Sequence, residues 1–253
     1  MPPRSRKLRW ARLALVSVAG LLAVGYYVLT RHSGVPVGSL ALPEKAALVS
    51  RNEVIATARA YAEHRWTASA HNVRHGPDAR GIDIQTPDAV ASDTNPGRWH
   101  VVTENTGIPY KWGGFDTPAS FDAGVAADRA AGDIYSYAKR RAGNAAVSAE
   151  AVGIDCSGFI SRCWHLPEKT GTSVLPGFCT ALASADDLQP GDIMNAPHGH
   201  VVLFAKWLDA AKSRALFYEA QGEPQAKVVA SEHRIFWLRV RGAQPLRYSR
   251  IID

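Results

Sequence analysis

The 253-residue chain predicts an α+β protein, an antiparallel sheet packed on one short amphipathic helix, preceded by one N-terminal transmembrane helix. Three observations carry that expectation. The run from Leu13 to Thr30 holds no charge and is about long enough to cross a bilayer as a helix. After Cys156, the apolar residues Phe159, Ile160, Cys163 and Trp164 fall at helical spacing until Pro167 closes the pattern. Downstream, Ile193-Met194, His200–Ala205 and Ala215–Ala220 are short strand-like runs separated by turn residues.

The elements follow in chain order. Arg4, Arg6, Lys7, Arg9 and Arg12 precede the uncharged run, and Arg31 ends it. The positive-inside bias then leaves the N-terminus in the cytoplasm and the rest of the chain outside, in the periplasm. Residues 1–31 are expected to be a cytoplasmic basic tip with a single-pass signal anchor, or a signal peptide whose cleavage would release a secreted protein. No Ala-x-Ala site follows the run, which favours the anchor, and the first cysteine is Cys156, which excludes an acylated N-terminal cysteine.

Residues 32–49, with Pro36 and Pro43, read as a linker, and 50–253 as one domain. Ser50 and Glu53 form a capping-box signature ahead of a helix whose apolar face is Val54, Ile55, Ala58, Tyr61, Ala62 and Trp66. Residues 71–97 turn to Gly, Pro, Asp and Asn and predict a long surface loop, part of an insertion near 71–100. A second insertion, near 115–151, is rich in Ala; Phe121, Val125, Ala126 and Ala130 predict one helix followed by a mobile approach to Asp155. Lys227–Arg241 predicts two strands that complete the sheet, the second over the alternating Ile235–Arg241.

Charge narrows the partners. The chain has 29 Lys and Arg against 23 Asp and Glu, and without the five basic residues of positions 1–12 the balance is 24 to 23. A nearly neutral domain lacks the basic face that phosphate binding needs, so nucleic acid is not an expected partner.

The chemistry centres on Cys156. A thiol at a helix start meets free N–H groups and the positive end of the macrodipole, which favour the nucleophilic thiolate. A small buried cysteine is the alternative role, and the residues downstream decide between them. If the two later strands form a hairpin turning near Asp209–Ala211, paired residue numbers sum to roughly 418–422, which sets His200 opposite a position close to Glu219. His200, Val202 and Phe204 then share one face, as do Phe217 and Glu219. Nucleophile, base and orienting carboxylate stand in the order that a cysteine hydrolase needs. Asp155 and Asp192 read as loop and turn anchors, His165 as a partner for the helix C-terminus, and Trp112 as packing or pocket lining. His198 and His200 form a His-x-His pair, but no further ligands cluster with them, so neither a metal nor another cofactor is expected.

Cys156 and Cys163 are seven residues apart on one helix, roughly 10.5 Å, too far for a disulfide. Cys163 and Cys179 are the pair left in an oxidising compartment, with two separately buried thiols as the alternative.

Four pieces in order, Pro109-Tyr110-Lys111-Trp112-Gly113-Gly114, Asp155-Cys156-Ser157-Gly158-Phe159, Leu188-Gln189-Pro190-Gly191-Asp192 and Gly199-His200-Val201, resemble the NlpC family of papain-like cysteine peptidases. The resemblance implies a papain-like fold and hydrolysis of an amide bond in bacterial cell-wall peptidoglycan peptides. It implies Cys156 as nucleophile, His200 as base, and Tyr110 with Ser157 at the oxyanion or substrate position. The third member is usually His, Asn or Gln in the family and falls on Glu219 here. The connection from Gly114 to Cys156 is also longer than the family's. Two other readings stay open: a thiol hydrolase or acyltransferase acting on a lipid or other acyl ester, and a non-catalytic cell-wall binding protein.

Overall fold

A run of backbone pairing in the C-terminal half organises the molecule. Six strands, β1 (Cys179–Ala181), β2 (Ile193–Asn195), β3 (Val201–Trp207), β4 (Arg214–Ala220), β5 (Val228–Arg234) and β6 (Gln244–Tyr248), form one sheet in the order β5-β4-β3-β2-β6-β1. Every neighbouring pair is antiparallel. The structure, a computed structural model, describes residues 36–38, 40–41, 46, 48–89 and 98–253. All fall within the unit Val35–Asp253.

The β3–β4 hairpin has the register that the sequence predicts, with Leu203 opposite Tyr218 and Phe204 opposite Phe217, before a bulge at Ala205. Alternation sends its side chains to two cores. Val201, Leu203, Tyr218 and Ala220 pack with helices α1 (Arg51–Ala62) and α4 (Cys156–Cys163), through Val54, Ala58, Tyr61, Phe159, Ile160 and Trp164. Val202, Phe204 and Phe217 face the other way, against Ile235 and Leu238 of helix α5 (Ile235–Val240). Helices α2 (Pro118–Ala126) and α3 (Tyr137–Ala142) lie between α1 and α4 in sequence.

Helix α1 starts as its signature requires: the Ser50 side chain accepts from the Glu53 N–H, and the Glu53 side chain accepts from the Ser50 N–H. Its apolar face ends at Ala62, because Trp66 sits on the separate strand Arg65–Thr67. The parallel strand pair Val49–Ser50 and Ile251–Ile252 joins the two ends of the unit just before this helix. Arg250 adds a hydrogen bond from its guanidinium to the Ala46 carbonyl at 2.7 Å.

Several expectations are corrected. The fold class had combined a papain-like α+β domain with one N-terminal transmembrane helix; the described residues form a mixed α/β structure with a large antiparallel sheet. Among them no helix is long and apolar enough to cross a membrane. The longest, α1, has 12 residues, about 18 Å, well short of the roughly 30 Å hydrocarbon layer. The run Leu13–Thr30 lies outside the described residues.

The linker over 32–49 is partly built into the domain: the Gly38 and Leu40 N–H groups donate to the Pro176 and Gly177 carbonyls at 3.0 and 3.2 Å. Residues 71–89 are not a featureless loop but a 3₁₀ turn and the strand pair His75–Pro77 with Asp83–Gln85, pinned by buried Ile84 and Asn72. Between Gly114 and Cys156 there are two α-helices rather than one. The segment Ile235–Val240 is a helix instead of a strand, since burial of Ile235 and Leu238 at i and i+3 decides its period.

Candidate active site

The loop before α4 is built by glycines. Gly153 has φ of 141°, and a Cβ there would meet the Pro109 carbonyl at 2.5 Å. That close approach lets Ile154 donate to Pro109 O and accept from Lys111 N–H, both at 3.1 Å, with Tyr110 bridged beside Ile154. A Cβ on Gly158 would lie 2.1 Å from the Gly114 carbonyl. The first two sequence pieces are therefore interlocked backbones, and Tyr110 is carried to within two residues of the cysteine.

Asp155 caps α4, accepting from the Gly158 N–H at 2.7 Å, and also holds the Gly113 N–H and the Lys169 ammonium at 3.1 and 3.0 Å. Ser157 turns its hydroxyl to the same carboxylate at 3.0 Å, so its side chain serves the cap rather than a substrate. The N–H groups of Cys156 and Ser157, the first two of the helix, are left without a partner among the described residues.

His200 stands just before β3, where the Ala196 N–H takes its carbonyl at 2.9 Å. The turn Leu188–Asp192 fixes the neighbouring strand. Fully buried Asp192 accepts the Gln189 N–H at 2.9 Å and pairs with Arg51 and Arg247, while the Trp164 indole donates to Gly191 O. Helix α4 and β3 are thereby held in one frame, which makes the Cys156 thiol an electrostatic neighbour of His200. Its Nε2 lies 2.6 Å from Glu219 Oε2. The His200 side chain keeps 41% of its surface accessible, whereas Glu219 keeps 1%.

Burial opposes a charge on His200, but hydrogen bonds to Cys156 and Glu219 outweigh it and raise its pKa to about 10. Burial likewise favours neutral Glu219, and hydrogen bonds from two histidines outweigh it, holding the carboxyl well below the usual carboxylate range. The second of these is His233 on β5, whose Nε2 lies 2.6 Å from Glu219 Oε1. Sequence reasoning passed over His233. The signal available was a histidine at an alternate position of a strand-like run, whose register against Glu219 depends on the turn between β4 and β5. Tyr110 is buried beside Cys156; burial first, then the neighbouring Cys156 and Asp155, pushes its phenol far above the ordinary range.

The 115–151 segment reaches this region. The Trp112 N–H donates to Asp133 O at 2.8 Å, its indole donates to Gly143 O at 3.2 Å, and Lys139 pairs with buried Asp133. Arg140 on α3 donates to the His198 carbonyl at 2.8 Å, two residues before His200. His198 itself has φ of 58° and lies in the loop, and His165 follows α4 at φ of 53°.

Of the two alternatives for Cys163 and Cys179, the structure has the separately buried thiols: all three cysteines are free and buried. The Cys179 thiol instead faces the Leu175 carbonyl at 3.2 Å, and burial pushes both the Cys163 and Cys179 thiols far up. Among the described residues no group of three or more His, Cys, Asp or Glu is arranged to hold a metal ion. Compared with known proteins, the chain matches no family model, no curated protein and no solved structure.

Proposed function

We propose that the chain is a cysteine hydrolase that cleaves an amide bond in peptidoglycan peptides. The observation that supports this reading is the His200 ring, paired with the buried Glu219 carboxylate at 2.6 Å and raised in pKa by the neighbouring Cys156 thiol as well. An imidazole so placed takes the thiol proton on one nitrogen while the carboxylate fixes the other and stabilises the imidazolium. The sulfur then attacks the carbonyl carbon and forms a C–S bond. The Cys156 and Ser157 N–H groups, with the Tyr110 phenol, face the developing oxyanion. His200 gives its proton to the leaving amine as the C–N bond breaks, and water, deprotonated by His200, releases the acyl group and restores the thiol.

The substrate class rests on the resemblance to the NlpC family, whose motifs are the segments interlocked around Cys156. A cell-wall substrate places this work outside the cytoplasm. The test is digestion of purified muropeptides by the full-length protein, read by mass spectrometry. The wild type should release peptide fragments and Cys156→Ala should release none while keeping its circular dichroism spectrum. Release by Cys156→Ala at the wild-type rate rejects the hydrolase.

A further inference from the structure

Glu219 is held from both sides. One oxygen meets His200 and the other meets His233, each at 2.6 Å, and the carboxylate is 1% exposed. A buried carboxylate with a single hydrogen bond can rotate about its last torsion; one gripped at both oxygens cannot. The His233 ring is itself held edge-on against Phe217, with ring centroids 5.7 Å apart, so the grip comes from a fixed side chain.

We propose that His233 is a positioning residue, whose Nε2–H fixes the Glu219 carboxylate so that its second oxygen orients His200 toward Cys156. The inference rests on the hydrolase reading of this site and extends the usual three residues by one. His233 touches neither the sulfur nor the place where a substrate carbonyl would lie. Its influence passes through Glu219 alone. The other charged groups of these strands, Arg214, Glu232 and Arg234, pair or sit at the far end of the β4–β5 ladder, where Arg214 is opposite Arg234. The titratable groups that face Glu219 are His200, with Cys156 behind it, and His233.

The consequence is measurable in two ways. Removing the donor costs a charge-assisted hydrogen bond, so kcat should fall by about tenfold to a hundredfold with KM within about twofold. One of the two contacts that hold Glu219 ionised is also lost, so the carboxylate should take up its proton at higher pH. The acid limb of Cys156 reactivity should move up with it.

The experiment uses the full-length protein with His233→Phe, which keeps a ring and loses the donor, and His233→Gln, which keeps an N–H. Muropeptide turnover is measured beside the rate of Cys156 alkylation by iodoacetamide across pH, read by peptide mapping. The expected result is a lowered kcat and a raised acid limb in His233→Phe, with both largely restored in His233→Gln. Wild-type kcat and an unmoved limb in His233→Phe overturn the proposal, as does a loss that His233→Gln shares in full. If the wild type cleaves no muropeptide, the hydrolase reading fails separately. The alkylation limb then still decides the role of His233, a shift supporting it and no shift overturning it.

Discussion

Glu219 and His200 answer to opposite ends of the pH scale. The Glu219 pKa is lowered from 4.5 by its two histidines, so its contribution to stability is present above that value and disappears as pH falls through the lower folded value. The His200 pKa is raised from 6.5 to about 10, so its contribution is present below 6.5 and disappears as pH rises through about 10. Between those limits the charged imidazolium that the proposed hydrolysis needs is favoured. Glu219→Gln removes one of the two contacts that raise His200, and the alkaline limb of kcat/KM should therefore move to lower pH; an unmoved limb removes Glu219 from the site. His200→Ala should be the more severe lesion, because it abolishes both proton transfers. Denatured, unreduced protein should give three titratable thiols, since none of the cysteines is paired. At this scale the sequence exposed Cys156, His200 and Glu219 through motif and register. It did not foresee that the Asp155 cap takes the Ser157 hydroxyl, and it left Cys163 and Cys179 open, because their burial carries no sequence mark.

Helix α4 is placed by contacts that only glycine permits. The Gly158 position would bring a Cβ to 2.1 Å from the Gly114 carbonyl, a backbone atom that cannot swing aside. Gly158→Ala should cost about 3 kcal/mol, at the upper end of overpacking penalties, and should slow Cys156 alkylation by displacing the helix start. Urea unfolding and alkylation kinetics on the same variant check both. The β3–β4 hairpin was legible because a tight turn fixes register and alternation fixes faces. Helix α5 was not legible. Its six residues Ile235–Val240 are all apolar but Arg239, and a short apolar run has no period of its own until a partner buries one side. Here Phe236, Trp237 and Val240 stay exposed while Ile235 and Leu238 pack. The residues 71–89 failed differently, since their order comes from polar side chains such as Asn72, which holds the Val125 and Arg129 carbonyls at 2.9 Å.

Across the whole molecule, Asp192 ties together parts that lie far apart in the chain. It receives Arg51 from the start of α1 and Arg247 from β6, with no exposure of its own side chain. Asp192→Asn leaves Arg247 without its anion and Arg51 with Asp253 alone, and should destabilise the domain by about 3–5 kcal/mol, read from the shift of the urea midpoint. Composition and the apolar alternation were enough to foresee a sheet packed on a helix, but not how the insertions pack, because tertiary contacts such as Arg140 to His198 O have no local signature. The pairing of Val49–Ser50 with Ile251–Ile252 bears on when the fold can be completed. Cys156, His200, Glu219 and His233 all emerge from the ribosome before residue 234, so the strands that carry them can associate early. The clasp beside α1 joins residues 202 and 204 positions apart, Arg51 to Asp253 and Ala46 to Arg250, and must wait until residue 253 has been made. Contacts of such long range close a large loop before any energy returns, which makes this the slow step of a growing chain. A nascent polypeptide would thus carry its whole candidate site while its first helix was still unfastened.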